Sequence, residues 1–268
     1  MKNRKIVITI IIRASGEATV RNLWKQLKIQ KDKEDVLRIL DSEISFEEKI
    51  KEGYLLGLTL DNPFTLFIDG DILVRSNFIK KVKALIPLLQ ENELGFGLKL
   101  LDRFYGRPKF RGIHLYKTSF LKKALELIPF EGKKIRPESF IKDEMSKIGY
   151  KWNNEISDYI AGIHDFYQYP RDIYYKFVIR SKRSPDDIGI LKKRFLKEKN
   201  SYDFQIALRG LIDGESKNKI SNDKFNFDIP KELKFLPKSL VNKKSFEIDL
   251  IIFINRIKSF YKSLMKTE

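Results

Sequence analysis

The chain has 268 residues, 42% of them hydrophobic and 12% aromatic, which is enough to bury a substantial core and too apolar for a disordered chain. It has no cysteine, so disulfides, thiolate metal sites and a cysteine nucleophile are excluded and any metal must be held by oxygen or imidazole. A formal net charge of +17 predicts affinity for polyanions, whether nucleic acid, phosphorylated small molecules or an anionic membrane face.

The opening segment MKNRKIVITIIIRASGE is basic and then apolar, but the apolar run stops at Arg13, about half a membrane span long, and no small-residue cleavage site follows. It reads as a first β-strand over residues 5 to 12 rather than as a signal peptide, and points to a cytoplasmic protein. RASGEAT breaks the pattern, and VRNLWKQLKI follows with Val20, Leu23, Trp24 and Leu27 at helical spacing. Residues 36 to 40 form a second short strand with Asp41 at its end. SFEEKIKEGYLLGLTLDN reads as a helix capped by Ser45, with Glu48 three residues on as in a capping box.

The third strand, Thr65 to Ile68, runs into Asp69, Gly70 and Asp71. A helix is expected next, from a Ser76 cap through SNFIKKVKALIPLLQE. This βαβαβα alternation predicts an α/β doubly wound sheet, whose ligands bind beyond the carboxyl ends of the strands. Asp41, Asp69 and Asp71 all lie at such ends. Alternate residues of an extended segment point the same way, so Asp69 and Asp71 can converge on one cation, and Gly70 leaves room for a phosphate or ribose. The plainer alternative is a solvated turn after a strand.

After residue 95 the strand-like LGFGLKLLDRF and RGIHLYKT precede a helix, SFLKKALELI, and a short helix, ESFIKDEMSKIGY. A loop and a long amphipathic helix fill ISDYIAGIHDFYQYPRDIYYKFVIRSKR. Beyond Ser184 the chain is more polar and basic, with a linker-like stretch at GESKNKISNDKFNFDIPKELKFLPKS. A final helix carries Leu250, Ile254, Ile257, Tyr261 and Leu264 on one face.

These pieces together resemble the GT-A nucleotide-sugar glycosyltransferases, especially the family 2-like bacterial enzymes, over roughly residues 5 to 184. The resemblance lies in VITIIIRASGEATVRNLWKQL, EKIKEGYLLGLTLDNPFTLFIDGD, RGIHLYKTSFLKKAL, KDEM and GIHDFYQYPRD. The second strand is the point of departure, shortened to VLRILDSE where the family ends it in an acidic pair; Asp41 occupies a suitable place. The resemblance implies a Rossmann-like, mostly parallel sheet flanked by helices over residues 1–184, with a basic, mainly helical extension over 185–268.

It also implies roles. A divalent cation, Mn2+ or Mg2+, would be held through the D-x-D aspartates, Asp71 directly and Asp69 through water or the ribose, with His164 completing the coordination. Asp165 would orient His164 or share in the site. Arg13, Ala14 and Ser15 would cradle the nucleotide together with Asp41, Asp69 and Gly70, and Arg111 and Gly112 would lie near the donor sugar or acceptor. Asp143, then Glu144, would serve as general base for an inverting transfer. Arg171, Lys176 and Arg180 would meet the diphosphate or an anionic acceptor. His114, inside a strand, reads as a satisfied core histidine.

The function expected is transfer of a sugar from a nucleoside-diphosphate sugar to a glycan or lipid-linked acceptor in cell-surface polysaccharide synthesis. The basic C-terminal part would allow peripheral contact with the inner face of an anionic membrane. The alternative is a nucleic-acid-binding protein, suggested by charge and by the aromatics of DFYQYPRDIYYKFVIRSKR, with binding that weakens steeply as salt rises.

Overall fold

A computed structural model describes residues 5–130, 133, 136–216, 229–230, 233 and 242–264, the last five by backbone alone. The strands in chain order are β1 (Ile8–Ala14), β2 (Val36–Asp41), β3 (Phe64–Asp69), β4 (Ile72–Val74), β5 (Glu93–Asp102), β6 (Arg107–Lys117), β7 (Lys151–Asn153) and β8 (Ile160–His164). They form one sheet in the order β2-β1-β3-β6-β5-β8-β4, with β7 on β5. β1 is buried along its whole length between β2 and β3, which is why its sequence is continuously apolar instead of alternating. Four of the seven pairings are parallel, and β3–β6, β5–β6 and β4–β8 are antiparallel. The sheet is therefore mixed, doubly wound in its first half and turned back on itself in its second.

The helices are α1 (Val20–Gln30), α2 (Phe46–Leu60), α3 (Phe78–Leu85), α4 (Leu121–Glu126), α5 (Pro137–Lys147), α6 (Pro170–Arg183), α7 (Pro185–Lys197), α8 (Tyr202–Ser216) and α9 (Ser245–Leu264). Ser45 caps α2 as expected, its Oγ accepting from Glu48 N at 3.2 Å. Prolines 137, 170 and 185 open three helices, where the missing N–H would have had no partner anyway. The cap expected at Ser76 is not made. Asn77, in left-handed conformation at φ 57°, precedes α3, and the Ser76 N–H is taken by Asp249 Oδ2 of α9 at 3.2 Å.

Two core layers sandwich the sheet. Ile8, Ile10, Ile12, Leu66, Ile68 and Phe96 face α1 and α3, while Ile11 and Phe67 face Tyr54 of α2 and Met145 of α5. A third cluster joins Phe104, in the turn after β5, to Phe177, Phe195 and Phe204 of α6, α7 and α8, with ring centroids 4.7 Å apart for Phe104–Phe177 and 5.3 Å for Phe104–Phe204. α7 and α8, beyond residue 184, thus pack on α6 and the β5–β6 turn.

α9 returns to the first core layer. Ile248 and Ile252 are buried in it, Lys243 O accepts from both Asn22 Nδ2 and Gln26 Nε2 at 2.8 Å, and Asp249 pairs with Arg75. The apolar face read from the sequence is the outer one: Leu250, Ile254 and Ile257 are exposed, and the side chains of Tyr261 and Leu264 lie outside the described residues. The helix is apolar on two sides, so its periodicity alone does not choose between them. Most of the linker-like stretch also lies outside the described residues. Among the described residues no helix is long and apolar enough to cross a membrane.

Ile248→Ala should lower the free energy of unfolding by about 2–4 kcal/mol, as truncation of a buried isoleucine in a sheet core does. Urea unfolding followed by tryptophan fluorescence measures it; stability equal to the wild type would contradict the packing of α9.

Candidate active site

The parallel register sets Arg13 beside Asp69 at the carboxyl ends of β1 and β3. Arg13 Nε and Nη2 lie 3.1 and 2.7 Å from Asp69 Oδ1, and Nη1 donates to Glu138 Oε1 of α5 at 2.6 Å. The same Glu138 oxygen lies 2.9 Å from His114 Nδ1, and one turn along α5 Lys142 Nζ stands 3.7 Å from the centre of the Trp152 ring. Burial pushes His114 down to about 4 and Lys142 down to about 8. Asp69 is pushed up to about 6 by burial, with Glu138 and Asp71 nearby, against the pull of Arg13. Glu138 stays well below the usual carboxylate range because Arg13 and His114 outweigh its burial. Arg13 is 1% exposed and acts as an interior strut, and His114 is the satisfied core histidine expected.

A second network forms where β5 and β8 end, because their register sets Asp102 beside His164. Asp102 is fully buried. Its Oδ1 accepts from Tyr105 N at 2.9 Å, and its Oδ2 lies 3.1 Å from His164 Nδ1 and 3.4 Å from Arg111 Nε. His164 Nε2 points the other way, 3.2 Å from Asp71 Oδ2. Asp165 follows in the left-handed region at φ 66°, a placement uncommon outside glycine and concentrated at functional sites. Its N–H donates to Asp71 O at 3.3 Å. From α6, Lys176 Nζ donates to Asp71 Oδ2 at 2.8 Å and to Asp165 Oδ1.

The charges of this network shape one another. Burial disfavours the charged form of His164, but Asp165 and Asp71 overcome it and raise the ring to about 9. Burial likewise opposes the charge on Asp71, and Lys176 and His164 overcome that, holding the carboxyl well below its ordinary range. Asp102 is lowered against its burial by His164 and then Arg111.

One donor atom from each of Asp71, His164 and Asp165 lies within 4.8 Å of the others. Asp71 Oδ1 is buried and accepts no hydrogen bond, and Asp165 Oδ2, also buried, has a charge contact with His164 Nδ1 at 3.2 Å in place of one. Two carboxylates and an imidazole, with one carboxylate oxygen orphaned, fit a hard divalent cation. Of the three, Asp71 reaches a cleft of about 210 Å³ that is also lined by Glu17, Asp172, Lys176, Arg180 and Arg183 among others. Arg180 rests against the Tyr105 and Phe177 rings at 5.3 and 5.4 Å, and among the described residues no carboxylate pairs with it. Lys176, Arg180 and Arg183 share one face of α6 by their spacing and turn it positive.

The other expected site residues scatter around this core. Asp69 belongs to the Arg13 network and lies outside the three-residue donor set. At Gly70 a Cβ would come within 2.7 Å of Glu17 Oε2, so the space that only glycine leaves is taken by a carboxylate that also accepts from Ser15 N at 2.6 Å. Asp41 is exposed and accepts from Gly16 N at 3.0 Å. Buried Lys49 of α2 bonds Ala14 O and Ser15 Oγ, and Ser42 O at 2.9 Å, stapling the ends of β1 and β2. Gly112, at φ 53°, lies against Asp69 and Ile72, where a Cβ would meet Asp69 Oδ2 at 2.9 Å. Arg171 turns to Asp172. Asp143 is exposed and Glu144 pairs with Lys147 at 2.7 Å, whereas Glu138, earlier on the same helix, reaches the buried network.

Sequence reasoning did not find Asp102, Glu138, Lys142 or Lys49. Asp102 had a usable signal: LGFGLKLLD ends an apolar run in an aspartate, as FTLFID does. Glu138, Lys142 and Lys49 sit on helices among many other charges, and only the fold singles them out.

No family model matches the sequence, and neither does any curated protein. Among solved structures the chain is similar to a glycosyltransferase involved in the glycosylation of the major capsid of PBCV-1, with 14% identity, a TM-score of 0.41, and coverage of 56% of this chain and 82% of that one. It is similar to residues 1–349 of S. aureus TarS, with 11% identity, a TM-score of 0.43, and coverage of 78% and 71%. A protein described as a glucose-1-phosphate thymidylyltransferase from Bacillus anthracis gives 14% identity, a TM-score of 0.38, and coverage of 55% and 86%.

Asp71, Asp102 and Glu138 have folded-state values below their ordinary 3.8, 3.8 and 4.5, so the stability they contribute is present above those values. It is lost as pH falls through the lower folded-state values. The melting temperature should therefore drop steeply below pH 4.5, and Asp102→Asn should make that drop shallower. Thermal melts from pH 3 to pH 7, a range on the order of the carboxylate titration, test this; equal slopes in both proteins would contradict it.

Proposed function

We propose that this chain is a metal-dependent glycosyltransferase that moves a sugar, with inversion, from a nucleoside-diphosphate donor to a glycan or lipid-linked acceptor in cell-surface polysaccharide synthesis. The observation that carries the reading is the donor set of Asp71, His164 and Asp165, with Asp71 Oδ1 buried and unbonded, beside a cleft whose lining combines Lys176, Arg180 and Arg183 with Glu17 and Asp172. A divalent cation held there, Mn2+ or Mg2+, would supply neutralisation of the charge on the leaving diphosphate, worth several kcal/mol.

The chain's own groups divide the remaining work. Asp71, Asp165 and His164 Nε2 would hold the cation, the ring giving up its Nε2 proton as the cation binds, and Asp102 orients the ring of His164 through Nδ1. Arg180 and Arg183 meet phosphate oxygens, for which a guanidinium fork is well shaped. A cleft of about 210 Å³ takes a diphosphate and part of a sugar, so the nucleoside extends past Ser15, Asp41 and Asp69, with the buried Arg13 and Ala14 supporting that edge from beneath and Arg111 and Gly112 on the sugar side. The acceptor hydroxyl gives its proton to a carboxylate of α5, where Asp143 is the first candidate and Glu144 the second. The nucleic-acid alternative is less well supported, because Tyr174 and Phe177 of α6 are buried in the aromatic cluster and offer bases no stacking surface.

Release of nucleoside diphosphate from UDP- and GDP-sugars with Mn2+ tests the proposal. Asp71→Asn should weaken metal-dependent sugar-nucleotide binding by at least about tenfold with the fold intact. Asp143→Asn should lower kcat by about 10²–10⁴ with donor affinity unchanged. Sugar-nucleotide affinity that is the same with and without Asp71 would contradict the assignment, and loss of kcat in Glu138→Gln but not in Asp143→Asn would move the base.

A further inference from the structure

We infer that Lys176 is a built-in rival for the cation: its ammonium occupies the Asp71–Asp165 carboxylates when no cation is bound and must leave for one to bind. The inference rests on Asp71, His164 and Asp165 being a cation site, but not on what the enzyme transfers.

Lys176 Nζ lies 2.8 Å from Asp71 Oδ2 and also contacts Asp165 Oδ1, so it bridges the two carboxylates of the donor set. A Mg2+ ion needs carboxylate oxygens at about 2.0–2.1 Å, which puts it in or directly beside the volume the ammonium fills. Two positive centres so close in a buried setting repel strongly, and the carboxylates cannot fully satisfy both. The main chain of α6 does not have to move to resolve this, since Tyr174 and Phe177 anchor it in the aromatic cluster. The lysine side chain does: it is a flexible four-carbon stem, about a quarter exposed, on the wall of the open cleft.

On leaving, the ammonium enters the part of the cleft that Arg180 and Arg183 already make positive. Glu17 and Asp172 also line the cleft, but Glu17 already accepts from Ser15 N and Asp172 already pairs with Arg171, so a bound anion adds the stabilisation that these groups give only in part. A cation and a phosphate-bearing ligand should therefore bind cooperatively, each removing Lys176 from the position that hinders the other. The cation alone should bind weakly, because it has to displace a paired lysine without compensation.

The test uses Mn2+ alone, with no sugar nucleotide, titrated into the full chain and followed by the electron paramagnetic resonance signal of the free ion. Lys176→Met should bind Mn2+ at least about tenfold more tightly than the wild type, because the rival charge is gone. Affinity that is equal or lower would overturn the inference. Asp71→Asn in the Lys176→Met background should abolish the gain, and a gain that survives would place the cation elsewhere and also overturn it.

A second measurement needs no variant and decides the matter if Lys176→Met does not fold. Acetylation of wild-type lysines, read by peptide mass spectrometry, should rise several-fold at Lys176 when Mn2+ is added, and an unchanged rate would overturn the inference. If Mn2+ behaves as described but no sugar nucleotide binds, the rivalry stands and the glycosyltransferase reading falls.

Discussion

A carboxylate at the end of a buried strand must be answered by a positive charge within a few ångströms, and much of this molecule is arranged to supply those charges. Asp69 is answered by Arg13, Asp102 by His164 and Arg111, and Asp71 and Asp165 by Lys176. At the opposite end of the sheet Asp35, fully buried, accepts from Ile8 N at 3.1 Å and pairs with Lys83 at 2.7 Å. Removing one member of such a pair typically costs about 3–5 kcal/mol, because a buried charge is left without compensation. The pairs therefore fix where α5 and α6 dock as firmly as their apolar faces do.

The same constraint divides the two aspartates that the sequence places side by side. Gly70 separates them by one residue, yet Asp69 turns toward Arg13 and Glu138 on α5, while Asp71 turns toward His164 and Lys176 on α6. The pairing with Arg13 takes up one oxygen of Asp69 with two donors. Asp71 keeps one oxygen buried and unbonded. In the proposed cation site the partner of Asp71 is thus Asp165, which follows β8, three strands from β3 in the sheet order, and not its neighbour in the chain. Asp165 is held in a left-handed conformation that directs it there.

Much of the first half of the fold was legible. The apolar runs of β1 and β3, the short β2, and the Ser45 cap of α2 follow from residue patterns that need only local physics. β4 and β8 were not legible. Three residues after a turn, and five residues containing Gly162, carry too little periodicity to stand out, and each exists because the other pairs with it. Asp71 and His164 could be singled out as residue types, but their meeting depends on that β4–β8 ladder, where Ile72 lies opposite His164. The lysines posed the reverse problem: with 53 Lys and Arg residues, Lys49 and Lys142 look like any other surface charge until the fold separates them. The face of α9 misled because both of its sides are apolar and only contact with Asn22, Gln26 and Arg75 decides which turns inward.

The central claim is that the ends of β3 and β8, not the D-x-D pair alone, build the cation site. Anomalous scattering from crystals grown with Mn2+ and a nucleoside diphosphate measures it most directly. The account predicts a single strong peak within bonding distance of the Asp71 carboxylate, His164 Nε2 and the Asp165 carboxylate, with the Lys176 ammonium moved into the cleft. A peak bound by Asp69 and Asp71 without His164 or Asp165, or a bound nucleoside diphosphate with no peak between these residues, would contradict it.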